Sequence, residues 1–165
     1  MGLTGANPRH AILRTAWVYS PSGENFVKTM LRFGETPDEL SVVDDQCGNP
    51  TSAHDIAEGL WHLARQVAET PSVLAPGVYH MSAVGEASLA EFAEEIFRVS
   101  AALGSPSARV RRTTAAKYPT LTLRPANSRL DCRKLGGQFG LFLPQWQASA
   151  KVCAERLIKN RDWAS

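Results

Sequence analysis

Short apolar, β-rich segments alternate with amphipathic segments along almost the whole chain, and this alternation restricts the fold more than any other feature. The first strand-like segment, Ala11–Tyr19, ends in the turn Ser20–Gly23. A helical segment has its cap at Thr51 or Ser52 and runs to about Glu69. Its predicted core face consists of Ile56, Leu60, Leu63 and Val67. Because strands and helices alternate, the sequence predicts an α/β protein.

The remaining elements follow from the same periodicities and from local turn and cap signals. Ser88 and Glu91 form a capping box at the start of a helix that runs to about Leu103. Further helices are predicted over Glu24–Phe33, Asp131–Gln138 and Pro144–Leu157. Further strands are predicted over Leu40–Val43, Gly77–Met81 and Arg109–Thr113. We expect Ile12–Tyr19 and Gly77–Met81 to lie parallel in one sheet.

The composition is that of an ordinary globular domain, with 165 residues, 44% of them apolar and 21% charged. This length allows one domain, or one domain with part of another. No apolar run approaches the roughly 20 residues that a membrane-spanning helix needs. The start of the chain, MGLTGANPRH, lacks the apolar region of a secretory signal, so the cytoplasm is the expected compartment.

The net charge of +2 is too small to indicate a nucleic-acid partner, but one stretch is strongly basic. Between Ser105 and Lys134, Asp131 is the only acidic residue. The basic residues of this stretch are Arg109, Arg111, Arg112, Lys117, Arg124, Arg129, Arg133 and Lys134. They either bind phosphate groups or form a solvated face that balances the acidic residues of Glu86–Glu95. Nucleic acid is not expected as a partner, because the stretch lacks the row of aromatic residues on which bases stack.

Motifs for several kinds of chemistry are absent from the sequence. The three cysteines and four histidines have no metal-ligand spacing, so no metal site is predicted. There is no glycine-rich dinucleotide or phosphate loop and no G-x-S-x-G nucleophile motif. The Tyr-x-x-x-Lys pair of many reductases is also missing, because none of Tyr19, Tyr79 and Tyr118 has a lysine four residues later. The sequence therefore offers no candidate catalytic residue.

Four segments, in a fixed order, carry a resemblance to a known family. They are Ile12–Arg32, Leu40–Ala57, Gly77–Ser82 and Arg124–Leu135, with the motifs RTAWVY, NFVKTML, DQCGNPT and RPANSRL. Together they resemble the dTDP-4-dehydrorhamnose reductases, which belong to the extended short-chain dehydrogenase/reductases. The resemblance runs from about Ala6 to Ile158 and concerns the C-terminal half of the family only. The family's preceding half carries the glycine-rich cofactor loop and the Tyr-x-x-x-Lys pair, so the resemblance explains both absences.

The resemblance implies a partial Rossmann-like parallel sheet with a small α/β sugar-nucleotide-binding lobe, and residues 1–165 are then the substrate-binding part of a truncated reductase. Family members reduce dTDP-4-dehydro-L-rhamnose to dTDP-L-rhamnose with NADPH or NADH. We expect this chain to bind a dTDP-sugar, to hold no cofactor and to be inactive alone. The alternative is a non-catalytic interaction or regulatory module of the same fold. Surface that the other half would cover then favours a homodimer or another partner.

The resemblance also singles out two residues near the first predicted strand. Trp17 matches the tryptophan that packs against the deoxysugar, whose apolar face an indole covers while its N–H donates a hydrogen bond. Asn25 matches the start of the following helix, where amide groups hold a phosphate or a sugar oxygen. The alternatives are a core tryptophan for Trp17 and a helix cap for Asn25.

Two further motifs supply the remaining candidate residues. Gln46 and Thr51 belong to DQCGNPT, which shapes the nucleotide-binding lobe in the family. Arg124, Asn127 and Arg129 belong to RPANSRL, where an arginine forms bidentate, charge-assisted bonds with the diphosphate. The sequence does not choose between the two arginines, and a surface ion pair is the alternative for each.

Overall fold

Strands and helices alternate in the computed structural model, which describes residues 10–36, 38–117 and 124–161. The strands are β1 (Ala11–Arg14), β2 (Val18–Tyr19), β3 (Glu39–Val43), β4 (Cys47–Gly48), β5 (Thr51–Ser52), β6 (Gly77–His80), β7 (Ala87–Ser88) and β8 (Arg109–Thr113). The α-helices are α1 (Phe26–Phe33), α2 (Ala53–Glu69), α3 (Leu89–Ala102), α4 (Arg133–Phe139) and α5 (Trp146–Asn160). Short 3-10 helices occur at Pro71–Val73 and Ala115–Lys117. None of the helices in these ranges is long and apolar enough to cross a membrane.

The strands pair into small sheets, most of them parallel. β1 lies parallel to β6, with Ile12 opposite Val78 and Arg14 opposite His80. β2 pairs parallel with β5 and β3 pairs parallel with β8, whereas β4 and β7 are antiparallel. The expected parallel pairing of Ile12–Tyr19 with Gly77–Met81 is therefore confirmed for the part of each segment that lies in β1 and β6, and the α/β class is confirmed as well.

The prediction of one continuous strand over Ala11–Tyr19 is wrong, because the structure divides this segment into β1 and β2. Trp17, between them, has a φ of 48°, in the left-handed region that residues with a Cβ rarely adopt. The two parts also pair with different strands, β6 and β5. The turn at Trp17 therefore carries the chain from one sheet to another.

Side-chain caps set the starts of three helices. Asn25 Oδ1 accepts a hydrogen bond from the N–H of Val27 at 3.1 Å and caps α1. Ser52 caps α2. Ser88 and Glu91 form the predicted capping box, in which Ser88 Oγ accepts from the Glu91 N–H at 3.1 Å and the Glu91 carboxylate accepts from the Ser88 N–H at 2.7 Å. These local signals are confirmed.

Two apolar clusters form the core. The larger lies where α1, α3 and α5 meet, and it includes Phe92, Ile96 and Leu157, each at most 1% exposed. The smaller joins α2 and α4 to the β1–β6 sheet. Its buried residues are Leu63, Tyr79, Met81, Leu135, Phe139 and Leu143. The candidate site described below lies against the larger cluster.

The predicted core face of α2 is correct only in part. Leu63 is buried, and Ile56 and Val67 are half-buried, but Leu60 is 45% exposed, so its assignment to the core is wrong. The helix approaches the core closely at Gly59, where an added Cβ would lie 3.0 Å from a neighbouring side chain. Because Gly59 faces inward, the next residue along the helix, Leu60, faces outward.

Candidate functional site

A cleft of about 250 Å³ lies beside the turn between β1 and β2. Its lining includes the polar residues Gln46, Arg124 and Ser128. Its aromatic lining residues are Trp17, Tyr19, Phe26 and Phe92. Three of the candidate residues, Trp17, Gln46 and Arg124, thus come together from distant parts of the sequence. Apolar surface with a few polar groups is typical of a small-molecule site.

Trp17 is held in the cleft by close contacts with β4 and β5. Its indole lies over Gly48, where a Cβ would approach Nε1 of the indole to 2.7 Å. The N–H of Thr51 donates a hydrogen bond to the Trp17 carbonyl at 3.1 Å. These contacts maintain the left-handed backbone conformation at Trp17 and leave the side chain only half-buried. Trp17 therefore lies at the edge of the larger core cluster, with part of its surface open to a ligand.

Phe92 of α3 is the centre of the aromatic lining. Its ring stacks on Phe26, with centroids 5.3 Å apart, and is tilted against Tyr19 at the same distance. It also meets the ring of Trp146 edge-on at 5.7 Å. Helical periodicity predicts Phe26 and Phe92 only as inward-facing residues. The one sequence sign of a role in the site is the position of Phe26 in NFVKTML.

Tyr19 has a buried hydroxyl without a hydrogen-bond partner in the described part of the chain. The residue is 1% exposed. Burial, followed by the nearby Cys153 thiol and the Asp55 carboxylate, raises the pKa of this hydroxyl above its ordinary value. Tyr19 is therefore neutral at pH 7, and its O–H is a donor without an acceptor.

Backbone hydrogen bonds to β4 fix the segment that carries Arg124. The N–H of Cys47 donates to the carbonyl of Ala126, and the N–H of Ser128 donates to the carbonyl of Cys47, both at 2.8 Å. The segment therefore lies alongside β4 as a short, strand-like extension. This pairing brings the RPANSRL and DQCGNPT motifs together at the cleft.

Asn49 reinforces this junction through a nearly buried side-chain amide, which is 7% exposed. Its Oδ1 accepts a hydrogen bond from the N–H of Leu130 at 2.8 Å, and its Nδ2 donates to the carbonyl of Gly85 at 2.7 Å. Asn49 was not among the residues predicted for the site. Its position inside DQCGNPT is the only sequence signal that points to it.

The structure distinguishes the two candidate arginines. Arg129 forms a 2.8 Å ion pair with Glu86, and its Nε donates to Asn127 Oδ1 at 3.0 Å. Arg124 lines the cleft and has no ion pair with any described residue. The surface ion pair therefore describes Arg129, with Asn127 close to it. Arg124 forms no such pair with a described residue and lines the cleft.

Asn25 and Thr51 are both engaged in the fold itself. Besides capping α1, Asn25 donates through Nδ2 to the Ser20 carbonyl at 2.8 Å. Thr51 is fully buried, and its hydroxyl donates to the Asn49 carbonyl at 2.8 Å and accepts from the Ala83 N–H at 3.3 Å. The helix-cap alternative thus describes Asn25, and Thr51 supports the cleft without lining it.

Carboxylates offset most charges of the basic stretch. The ion pairs are Arg109–Glu39, Arg111–Glu39, Arg112–Asp44, Arg112–Glu94 and Arg129–Glu86. Arg133 pairs with Asp131 at 2.6 Å, and its hydrogen bonds lower the pKa of the Asp131 carboxyl to about 2. These pairs favour the solvated-face interpretation for five of the eight basic residues. Arg124, Lys117 and Lys134 form no ion pair with a described residue, and Lys134 donates instead to the Val78 carbonyl at 2.9 Å.

Two features that were sought among the described residues are a glycine-rich junction between a strand and a helix and a group of metal-ligating side chains. Of the described junctions that lead from a strand directly into an α-helix, only the one before α1 contains a glycine, Gly23. This is not the glycine-rich cradle that lets backbone amides reach a pyrophosphate. No cluster of His, Cys, Asp and Glu in the described ranges has the arrangement of a metal site. Burial raises the pKa of the Cys153 thiol to about 11, so this thiol stays protonated at neutral pH.

Comparisons with known proteins agree with the sequence motifs. Residues 3–159 match the family described as the RmlD substrate binding domain. The dTDP-4-dehydrorhamnose reductase of Sinorhizobium fredii is 48% identical over 149 residues, which are 90% of this chain and 50% of that protein. The crystal structure of a dTDP-4-dehydrorhamnose reductase from Clostridium acetobutylicum matches with a TM-score of 0.80 and 35% identity, over 94% of this chain and 51% of that one.

A second solved relative carries a cofactor. The dTDP-4-dehydrorhamnose reductase of Bacillus anthracis, in complex with NADP, matches with a TM-score of 0.72 and 29% identity, over 90% of this chain and 48% of that one. The chain thus spans about half the length of the relatives it matches, and its Rossmann-like architecture is confirmed by these reductases. The chain therefore belongs to the RmlD substrate binding domain family, together with the dTDP-4-dehydrorhamnose reductases.

Proposed function

We propose that residues 1–165 form the substrate-binding part of a dTDP-4-dehydrorhamnose reductase and that the cleft binds its dTDP-sugar. The observation that carries this proposal is that a half-buried indole, Trp17, and a guanidinium with no ion pair to a described residue, Arg124, line one cleft. A dTDP-deoxysugar needs both contacts, since it combines an apolar sugar face with a diphosphate. Relatives at 48% and 39% identity that carry the reductase name support the same substrate class.

Three side chains divide the binding task. We assign the indole of Trp17 to the apolar face of the sugar and the guanidinium of Arg124 to the diphosphate. Gln46 uses its backbone carbonyl to accept from the Leu89 N–H at 3.2 Å. Its side-chain amide lines the cleft and supplies a donor and an acceptor for polar groups of the ligand.

The reduction step needs a hydride donor and a proton donor, and neither is assigned to this chain. NADPH or NADH supplies the hydride in the proposed whole reductase, and we assign no cofactor-binding residue to this chain. The part played by this chain is to bind and orient the 4-keto sugar, so that the rest of the reductase reaches its carbonyl carbon. We place this activity in the cytoplasm, as expected from the sequence.

The proposal is tested by calorimetric titration of the purified chain with dTDP-L-rhamnose and with dTDP. Trp17→Ala should weaken binding of dTDP-L-rhamnose about tenfold or more, because it removes the aromatic anchor, and should change dTDP affinity little. Arg124→Gln should weaken both ligands and reduce the salt dependence of binding, because it removes the cation from the diphosphate.

Trp61→Ala is the matched control, since Trp61 is 72% exposed on α2 and does not line the cleft. It should bind both ligands as the unaltered chain does. Equal affinities of Trp17→Ala and Trp61→Ala for dTDP-L-rhamnose would contradict the assignment of the sugar to the indole.

A further inference from the structure

The indole of Trp17 lies directly against Gly48 of β4. An added Cβ at Gly48 would approach Nε1 of the indole to 2.7 Å and Cδ2 to 2.8 Å. Both separations are shorter than the contacts that a real Cβ makes, so the ring leaves no room for a side chain at Gly48. Gly48 is buried and does not line the cleft, whereas the indole does. The indole therefore lies between Gly48 and the cleft.

The backbone of Gly48 does not itself require a glycine. Gly48 lies opposite Ala87 in the antiparallel pair of β4 with β7. Its φ is not in the left-handed region, in contrast to that of Gly85, which is 89°. An alanine can adopt the strand conformation of Gly48 without backbone strain. The close approach of the indole is thus the feature that excludes a side chain at this position.

The backbone of Trp17 is fixed relative to that of Gly48. The Trp17 carbonyl accepts a hydrogen bond from the Thr51 N–H at 3.1 Å, and Val18 pairs with Thr51 between β2 and β5. Thr51 follows Gly48 closely in the sequence, so the two backbones cannot separate without breaking this pairing. A Cβ on Gly48 would instead turn the indole about its side-chain bonds, and the open space beside the ring is the cleft.

We propose that Gly48 is a positioning residue for sugar recognition, because its missing side chain sets how far the indole of Trp17 extends into the cleft. The depth of the indole then determines how tightly the sugar part of a dTDP-sugar binds. This inference rests on the proposed function, which assigns the indole to the apolar face of the sugar. The diphosphate is assigned to Arg124, so a change at Gly48 should affect the sugar and leave the binding of dTDP unaltered.

Calorimetric titration of Gly48→Ala with dTDP-L-rhamnose and with dTDP tests this role. Gly48→Ala should weaken binding of dTDP-L-rhamnose about tenfold, because the displaced indole occupies part of the space of the sugar. The affinity for dTDP should stay within about twofold, which also verifies that the variant folds. A chain that carries both Trp17→Ala and Gly48→Ala should bind dTDP-L-rhamnose as Trp17→Ala alone does, because the added methyl group has no indole to displace.

Tryptophan fluorescence detects the position of the indole without any ligand. The chain has four tryptophans, so the emission of Trp17 is obtained as the difference between spectra recorded with and without Trp17→Ala. This difference should shift to longer wavelength in the Gly48→Ala background, because the indole moves towards the water in the cleft.

Gly136→Ala is the matched control, because Gly136 is also covered by an aromatic ring, that of Phe142. It lies in α4 and does not line the cleft. Phe142 is 55% exposed, so its ring can turn into solvent when a methyl group is added. Gly136→Ala should leave the affinity for both ligands and the emission of Trp17 unchanged.

Three results would overturn the role of Gly48. They are an unchanged affinity of Gly48→Ala for dTDP-L-rhamnose, a loss of affinity that persists when Trp17→Ala is also present, and failure of Gly48→Ala to fold both with and without Trp17→Ala. The first two leave the proposed function in place, since the unaltered chain binds the sugar nucleotide. If the unaltered chain binds neither ligand, the proposed function is overturned instead, and an unchanged emission of Trp17 in Gly48→Ala would then overturn the positioning role as well.

Discussion

Tyr19 is one of two described residues, with Gln66, whose side chain buries a polar atom without a hydrogen-bond partner. Its ring packs well against Phe92, but its hydroxyl is buried without a hydrogen-bond partner among the described residues. Leaving a buried hydroxyl unpaired costs about 1–3 kcal/mol relative to its hydrated state. The ring itself lines the cleft, so the same residue contributes aromatic surface to the site and an energetic penalty to the fold.

We therefore predict that Tyr19→Phe raises the free energy of unfolding by about 1 kcal/mol, because it keeps the ring and removes the unpaired group. Burial raises the pKa of Tyr19 above its ordinary value of 10.0, so the folded state retains a proton that the unfolded state releases. The stability that this retained proton contributes is fully present when the pH lies below the ordinary tyrosine pKa of 10.0. It is lost as the pH rises from there towards the raised pKa of the folded state. The Tyr19→Phe protein should therefore lose less of its free energy of unfolding at alkaline pH than the unaltered protein does.

Urea denaturation of both proteins at neutral pH and above pH 10 checks the two parts of this prediction. Tyr79→Phe is the control, because the Tyr79 hydroxyl donates to the Ala75 carbonyl at 2.7 Å. It should destabilise the protein by about 1 kcal/mol. A loss of stability on Tyr19→Phe would show that its hydroxyl has an acceptor in solution.

At the scale of single residues, the sequence predicts those features that depend on neighbours along the chain. The roles of Ser88 and Asn25 as caps depend on neighbours within three residues, and both are present. Trp17 was singled out through the family resemblance alone, because its left-handed turn depends on Gly48 and Thr51, which come from another strand pair. The choice of Arg124 over Arg129 needed the position of Glu86, which no local pattern contains.

At the scale of elements, the segment that follows Arg124 is attached to a distant part of the fold through the side chain of Asn49. Asn49 satisfies the N–H of Leu130 and the carbonyl of Gly85 with one amide group. It thereby joins this segment to the loop before β7. The cleft is built where these elements meet, so its geometry depends on this amide.

We predict that Asn49→Ala destabilises the protein by about 1–3 kcal/mol, because it leaves two partly buried backbone groups unpaired. It should also weaken dTDP binding, since the segment that carries Arg124 loses one of its attachments. Denaturant unfolding and calorimetric titration measure the two effects.

Asn127→Ala is the control, because the exposed side-chain oxygen of Asn127 bonds only to Arg129 among the described residues. We expect a change in the free energy of unfolding within about 0.5 kcal/mol. Equal losses of stability and of dTDP affinity in Asn49→Ala and Asn127→Ala would contradict the role of Asn49 in holding the segment that carries Arg124.

The helices were predicted better than the strand pairs, for a physical reason. A helix closes its hydrogen bonds locally, so periodicity and caps define α2 and α3 almost to the residue. The pairing of β3 with β8 joins residues far apart in sequence and depends on contacts that no local pattern records. Leu60 shows where the prediction of helices fails. Helical periodicity identifies apolar residues that share a face, but it does not identify which apolar face packs against the core.

For the whole molecule, the proposed role of this chain as the substrate-binding part of a reductase predicts its behaviour in a test of catalysis. Reduction of a keto sugar requires a bound nicotinamide beside the carbonyl and a group that supplies a proton. The described residues include the cleft that we propose for the sugar nucleotide, but neither a glycine-rich pyrophosphate cradle nor a Tyr-x-x-x-Lys pair. We therefore expect no oxidation of NADPH by the purified chain with dTDP-4-dehydro-L-rhamnose above the rate without protein.

A mixture of this chain with the half of the Sinorhizobium fredii reductase that it does not match should oxidise NADPH when the keto sugar is added, if the two halves associate, because cofactor and substrate then meet. Trp17→Ala in that mixture should lower kcat/KM, because it removes the aromatic surface that we assign to the sugar. Turnover by the isolated chain that Trp17→Ala abolishes would show that this chain carries catalytic groups of its own. Inactivity of an intact complex that binds both ligands would show instead that the two halves do not position the keto group beside the nicotinamide.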